Sequence, residues 1–234
     1  MILLKNEAKN IGIELSENQI EKFRIYMNFL LEYNKHTNLT AIKEPEDIMI
    51  KHFLDSMILS KFVKIGSESK IIDVGTGAGF PGVPLKILDE SVNLTLVDSL
   101  NKRINFLKEL SDKLDLKINI FHARAEELAQ KSEFREKFDV AVSRAVAPLN
   151  ILSEYCLGYV KCGGNFAAMK GPNSDEEIKN SENSIKTMGG KIKKCEYLEL
   201  PREKGSRSIV IIEKIKSTPS KYPRLNSQIS KNLL

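Results

Sequence analysis

Behind Ser16 and Gln19, a pair spaced as a capping box, apolar residues recur at Ile20, Phe23, Met27, Leu30 and Leu31, the three- and four-residue rhythm of an amphipathic helix. A second helical run starts near Pro45, tolerated in a first turn where its missing N–H has no partner to lose, and carries Ile48, Phe53, Leu54, Met57 and Ile58. From Lys70 the rhythm changes. Short β-rich runs near 70–75, 92–98, 117–123, 138–144 and 164–170 alternate with helical stretches, which predicts a parallel sheet wrapped by helices on both faces. A helix near 175–188 precedes two more strand-like runs, "KIKKCEYLELP" and "SRSIVIIEKI". The break between them, which contains Gly205, is too short for a parallel crossover of about a dozen residues, so this last pair is antiparallel. The expected architecture is α/β: a mostly parallel seven-stranded sheet with an antiparallel final strand, divided as a helical cap (1–64), a main domain (65–215) and a tail (216–234).

Charge changes this picture only at the end of the chain. The formal excess of +5 is not spread evenly: residues 1–64 hold nine cations and nine anions, 65–215 hold 23 and 22, and 216–234 hold four and none. That basic tail, with two prolines and many polar residues, reads as flexible, and it suits either an anionic polymer partner or simple solubility. No apolar run approaches the ~20 residues of a membrane helix, and "MILLKNEAKN" is too short and too soon charged for a secretory signal, so a cytoplasmic, membrane-free protein is expected. Three cysteines without C-x-x-C spacing and three scattered histidines predict neither a disulfide framework nor a metal site.

The candidate chemistry sits in "DVGTGAGFPGVPL", directly after the first predicted strand, where α/β sheets bind ligands. Gly77, Gly79 and Gly82 satisfy the dinucleotide fingerprint G-x-G-x-x-G, and Asp98 follows at about the expected ~20 residues. Register argues against it. The tight-turn glycine directly after the strand is Gly75, and counting from there the third fingerprint position is Phe80, whose ring would obstruct close helix–strand packing. The pattern in step with the strand is Asp73, Gly75, Gly77 and Gly79, which resembles the nucleoside-binding turn of S-adenosylmethionine-dependent methyltransferases. That donor has no pyrophosphate, so bare backbone and positive φ are what the loop must supply. Asp98 would accept hydrogen bonds from the ribose hydroxyls, Ala125 and Glu126 are placed to meet the adenine edge, and Asp73 either organises the loop or faces the amino-acid end.

On the substrate side, the N-P-P-Y-like motif of adenine-N methyltransferases is missing, with "SRAVAP" in its place, and no Pro-Cys nucleophile occurs; Cys156 falls at a helical, core-like position. Arg144 and Lys170 end the fourth and fifth strands, at the carboxyl edge where a substrate lies. Lys102 and Arg103 open a helix, where the macrodipole disfavours each cation by roughly 0.3–1 kcal/mol, so a phosphate or carboxylate is expected to compensate them, unless Asp98 or solvent does.

Together "LLEYNKHTNLTAI", "KHFLDS", "DVGTGAGFPGVPL", "LVDSLNKRINFLKEL", "ARAEE", "VSRAVAPL", "MKG" and "KYPR" resemble the ribosomal RNA small subunit methyltransferase G family, also called glucose-inhibited division protein B, over nearly the whole chain. The resemblance implies a class I S-adenosylmethionine-dependent methyltransferase fold and methylation of guanine N7 in the decoding-region loop of bacterial 16S rRNA. The rRNA would be met within a small ribosomal subunit or its precursor, by a monomer. Guanine N7 already exposes a lone pair, so positioning and electrostatics suffice and no catalytic base is required. By position, the family's cofactor contacts fall on Gly75, Phe80, the Ala125–Glu126 pair and Arg144, with Lys102, Arg103 and Lys170 left as candidate RNA contacts. Two features depart from the family: Tyr33 stands where Trp is frequent, and after "KYPR" the chain runs "LNSQISKNLL" rather than a Pro- and Lys-rich ending. The competing readings are a methyltransferase for a small molecule or protein, and a non-catalytic RNA-binding module. Arg144→Ala is expected to weaken donor binding or turnover with the fold intact.

Overall fold

The computed structural model describes residues 1–144, 146–172 and 174–234. Seven strands, β1 (Lys70–Val74), β2 (Asn93–Asp98), β3 (Asn119–His122), β4 (Phe138–Arg144), β5 (Val160–Lys170), β6 (Gly190–Glu199) and β7 (Ser206–Lys214), form one sheet in the order β3-β2-β1-β4-β5-β7-β6. The first five pair in parallel; β7 is antiparallel to both β5 and β6, as the short break at Gly205 requires. Between the strands run α5 (Gly82–Leu88), α6 (Asn101–Leu114), α7 (Ala125–Leu128), α8 (Leu149–Leu157) and α9 (Asp175–Thr187).

Strand alternation sorts the core into two layers. Ile71, Val140, Val142, Met169 and Ile211 face one side, and Ile72, Ala141, Ala168, Val210 and Ile212 the other. The sequence also encodes where β7 goes, although pairing alone did not place it. Residues Ser208–Ile212 are all buried, as suits a strand flanked on both sides, whereas β6 carries Lys191, Lys193 and Lys194 and is the edge, guarded by charge.

The first core layer continues without a break into the helical cap. Phe23, Tyr26, Leu30, Phe53 and Met57 are fully buried in the same cluster as Leu94 and Leu96 of β2. The cap holds one helix that periodicity did not predict, α1 (Ile2–Asn10), then α2 (Glu17–Thr37). The capping box forms: Gln19 N–H donates to Ser16 Oγ at 3.2 Å and Ser16 N–H to Gln19 Oε1 at 2.9 Å. The Gln19 amide also donates to the Ile87 and Leu88 carbonyls, so one side chain caps α2 and holds the end of α5. Tyr33 stacks edge-on against Phe106 of α6, 5.1 Å between ring centroids, an aromatic anchor between cap and sheet. The second predicted helix is continuous but irregular: α3 (Pro45–Ile48), a π-helical stretch Met49–Leu54, and α4 (Asp55–Ile58). The π turn changes the facing of Lys51, His52 and Asp55, and such turns recur at functional sites.

The basic tail is where the sequence reading needs correction. It is not loose. Arg224 lies on Glu154 of α8 through two parallel hydrogen bonds of 2.9 and 2.8 Å, with a third from its own backbone N–H, and Glu154 is 1 % exposed. Arg135 holds the Thr218, Pro219 and Tyr222 carbonyls, and Lys214, wholly buried, bridges Leu157 O and Thr218 Oγ1. A short helix, α10 (Asn226–Ile229), follows. Composition signalled disorder because Glu154, which neutralises Arg224, lies 70 residues earlier in the chain. No described helix is long and apolar enough to cross a membrane.

Candidate functional site

A cleft of about 670 Å³ opens at the carboxyl ends of β1, β2, β4 and β5, where the strand order reverses beside β1. Its lining divides into two lobes by the elements that supply it: Gly75, Gly77, Asp98, Ala125 and Glu126 lie at or after the ends of β1, β2 and β3, and His52, Asp55, Arg144, Lys170 and Arg207 come from the cap and from β4, β5 and β7.

The glycine loop is built as the strand register requires. Gly75, Gly77 and Gly79 have φ of +70°, +63° and +99°, the left-handed region closed to most side chains. Their reasons differ. A Cβ on Gly75 would come within 2.6 Å of Val146, and one on Gly79 within 2.7 Å of the Tyr26 hydroxyl, so these two permit packing. A Cβ on Gly77 would meet nothing within 4 Å, so Gly77 is the glycine that keeps the cleft itself open. Gly79 and Asp73 do not line the cleft. Asp73 sits behind the loop, wholly buried, where one carboxyl oxygen accepts from Thr76 Oγ1 at 2.7 Å and from Gly82 N–H at 2.8 Å and the other has no partner among the described residues. Burial drives its pKa up to about 7. Through its two hydrogen bonds Asp73 ties Thr76 in the loop to Gly82 at the start of α5.

Asp98 is buried at the end of β2 and accepts from Gly77 N–H at 2.9 Å, from Leu100 N–H at 3.0 Å and from the Arg103 guanidinium at 3.1 Å. It therefore sets the loop's position from the cleft side while Asp73 pins it from behind. Arg103 is neutralised by Asp98, and Lys102 donates to the Thr37 carbonyl at the end of α2, outside the cleft lining. Arg103 thus finds its anion within the fold, whereas exposed Lys102 meets only a carbonyl. Lys170 lines the cleft, yet its ammonium is held by Glu177 at 2.6 Å and by the Ala147 carbonyl at 2.8 Å.

Arg144 is the organiser of the second lobe. It reaches Asp55 at 3.1 Å, the Lys51 carbonyl at 3.0 Å and His52 Nδ1 at 3.1 Å, and its guanidinium lies 4.9 Å from the centre of the Phe80 ring. Phe80 is sandwiched between Tyr26, stacked at 5.2 Å, and His52, at 4.5 Å, so its ring is mostly a wall between cap and cleft. Arg207 also approaches Asp55, at 3.4 Å, leaving two guanidinium groups on one buried carboxylate. Arg144→Ala strips that carboxylate of its nearer partner and leaves it Arg207, so this variant is expected to lose stability as well as donor binding.

His52, Asp55, Arg207, Tyr155 and Asn226 are cleft residues that sequence reasoning did not single out. "KHFLDS" contained the first two, but the π turn that aims them is not visible in periodicity, and Arg207 and Asn226 arrive only through the placement of β7 and the tail. His52 Nε2 lies 2.9 Å from Thr40 Oγ1; with Arg144 donating to Nδ1, the tautomer that satisfies both carries its proton on Nε2. Burial, then the charge of Arg144, holds the His52 pKa down to about 3. The folded state therefore keeps His52 neutral while the unfolded chain protonates near 6.5, so this stability is complete above pH 6.5 and is lost as pH falls towards 3. Unfolding followed by denaturant is expected to show about 2–3 kcal/mol less stability at pH 4 than at pH 7 from this group. His52→Phe, which keeps a ring on Phe80, flattens that slope; an identical slope refutes the neutral assignment.

Burial pushes the Cys156 thiol well above its usual range, and it lies outside the cleft lining. Among the described residues, no three His, Cys, Asp or Glu side chains gather as a metal site.

This sheet order and glycine-loop cleft define a class I S-adenosylmethionine-dependent methyltransferase fold. The structure of a putative class I methyltransferase from Listeria monocytogenes aligns with TM-score 0.58 at 16% identity, over 85% of this chain and 71% of that one. An S-adenosylmethionine-dependent O-methyltransferase from Thermotoga maritima aligns with TM-score 0.56 at 14% identity, over 81% and 72%. Such likeness carries the fold alone. Sequence goes further: the model of the rRNA small subunit methyltransferase G family matches residues 19–209. Ribosomal RNA small subunit methyltransferase G of Alkaliphilus metalliredigens is 50% identical over 226 residues, covering 95% of this chain and 94% of that protein. The Clostridium tetani protein of the same name is 49% identical, covering 99% and 98%. The chain belongs to the rRNA small subunit methyltransferase G family.

Proposed function

We propose that this protein transfers a methyl group from S-adenosylmethionine to N7 of a guanine in the decoding-region loop of bacterial 16S rRNA. The observation that carries the reading is the two-lobed cleft in a chain matched by its family from end to end: one lobe floored by bare backbone, the other lined by guanidinium and ammonium groups. A cleft of about 670 Å³ lies within the usual ~300–1,000 Å³ of ligand sites, and the open space at Gly77 is where a nucleoside can lie against backbone. Gly75 and Gly77 would face the donor, Ala125 and Glu126 its adenine, and Asp98 its ribose, with the partly exposed Arg103 yielding one lone pair of the carboxylate. Asp73 and Gly79 act through the loop, Phe80 walls the cleft off from the cap, and Arg144 lies on the acceptor side.

Bound S-adenosylmethionine supplies a methyl group activated on a sulfonium. The residues of this chain bind and orient: the loop fixes the donor, and the Arg144–Asp55–Arg207 cluster holds the acceptor lobe in shape. No proton has to leave guanine N7 before attack, so the lack of a poised base in the cleft suits the reaction. The neutral His52 ring and the high-pKa thiol of Cys156 fit the same account. Lys170 is the acceptor-side cation nearest in role to an RNA contact, on release from Glu177; Lys102 and Arg103 serve RNA only at the rim. The protein acts as a monomer in the cytoplasm on the small subunit or its precursor.

The test is methyl transfer from labelled donor to small subunits and to naked 16S rRNA prepared from cells that lack the family's methyltransferase. The expected product is one N7-methylguanosine, located by chain cleavage at the modified base. Label on another base or atom, or none on either substrate, sinks the reading.

A further inference from the structure

The folded tail does more than cover α8. It brings one of its residues, Asn226, into the lining of the donor lobe, beside Arg124, Glu126 and Tyr155. The Tyr155 hydroxyl donates to Asn226 Oδ1 at 2.6 Å, and Asn226 N–H donates to Glu126 Oε1 at 3.3 Å. The side-chain amide is thereby oriented through its oxygen, which Ser230 Oγ also approaches, at 3.4 Å, while giving its one hydrogen to the nearer Asn226 backbone carbonyl at 2.9 Å; among the described residues Nδ2 has no acceptor. Arg224, two residues before, is locked on Glu154, so the chain enters this position from a fixed point. A carboxamide so oriented, with one lone pair left beyond the Tyr155 bond once the Ser230 hydrogen goes to the backbone carbonyl, and with two donors, is the complement of a base edge that presents an amino group next to a ring-nitrogen acceptor. Adenine offers that edge: its exocyclic amine donates and the adjacent ring nitrogen accepts.

We propose that the C-terminal strap completes the donor pocket and that Asn226 reads the adenine of the donor, Oδ1 accepting from the amino group and Nδ2 donating to the ring nitrogen. This rests on the donor reading above and adds to it a specificity-determining residue from outside the glycine-loop domain. Hypoxanthine inverts the edge, placing a hydrogen on the ring nitrogen and an acceptor oxygen where the amine was, and Asn226 in its Tyr155-set orientation opposes it at both points.

Calorimetric binding of S-adenosylhomocysteine and S-inosylhomocysteine to the full-length protein tests this without any methyl transfer. The wild-type protein is expected to favour the adenine ligand by about tenfold or more. Asn226→Ala is expected to bind the adenine ligand about tenfold more weakly and to lose the preference. Asn226→Asp keeps the size and the acceptor for Tyr155 but has no donor, so it is expected to bind the hypoxanthine ligand better than wild type does. Melting curves establish that both variants are folded at the assay temperature, and the isosteric Asp variant carries the test should Ala fail. If the wild type binds the adenine ligand and both variants keep its affinity and preference, the role of Asn226 is overturned and the donor reading stands. If the wild type binds neither ligand, the donor reading fails and the proposal with it.

Discussion

Gly77→Leu is expected to abolish binding of S-adenosylhomocysteine, at least a hundredfold by calorimetry, in a protein that still folds. The two effects separate because of where this glycine points. Its φ of +63° costs a non-glycine residue about 1–2 kcal/mol, and a Cβ there meets no protein atom within 4 Å, so the native packing is undisturbed. The new side chain enters the cleft instead, in the volume where the donor is proposed to lie. Gly79→Leu offers the contrast: its Cβ would press on the Tyr26 hydroxyl and Val83 at 2.7 and 2.8 Å, both in the core, so stability falls first. A Gly77→Leu protein that binds the donor product normally would remove the glycine loop from the site.

Arg224→Met is expected to destabilise the whole protein by about 3–5 kcal/mol, because it leaves Glu154 buried at 1 % exposure without its cation. For a chain of this size that lowers the melting temperature by roughly 10 °C. The cost belongs to the stranded charge more than to the lost pair, so adding Glu154→Leu recovers much of the loss. Both variants are expected to expose the strap to trypsin at Lys221 and Lys231, which checks that the anchor, and not a remote defect, has gone. A melting point within about 2 °C of wild type would mean that the tail's other contacts, among them Arg135 and Gln130 on its carbonyls and Tyr155 on Asn226, hold it without Arg224.

The glycine loop was legible in the sequence because strand register is a local quantity. Val74 ends an apolar run, Gly75 follows, and counting from that point selects Asp73, Gly75, Gly77 and Gly79 over the dinucleotide pattern two residues later. What counting could not do is tell the glycines apart: Gly77 borders the cleft, Gly79 gives way to Tyr26, and that difference is made by α2, some 50 residues earlier. Arg103 is a case between. The macrodipole argument offered an external anion or Asp98, five residues before, and the structure has Asp98 at 3.1 Å.

By itself the sequence determined the element types, the parallel core with an antiparallel end, the carboxyl-edge loop and the family, since periodicity, capping pairs and turn glycines act within a few residues. Tertiary structure alone decided which charges are spent and which are free. Lys170 is held by Glu177, Asp55 joins two arginines from separate strands, and a tail that composition marked as loose is clamped on Glu154. The physical reason is burial: a charge in water needs no partner, whereas one enclosed by packed elements must find its counterion among residues that only the fold brings near.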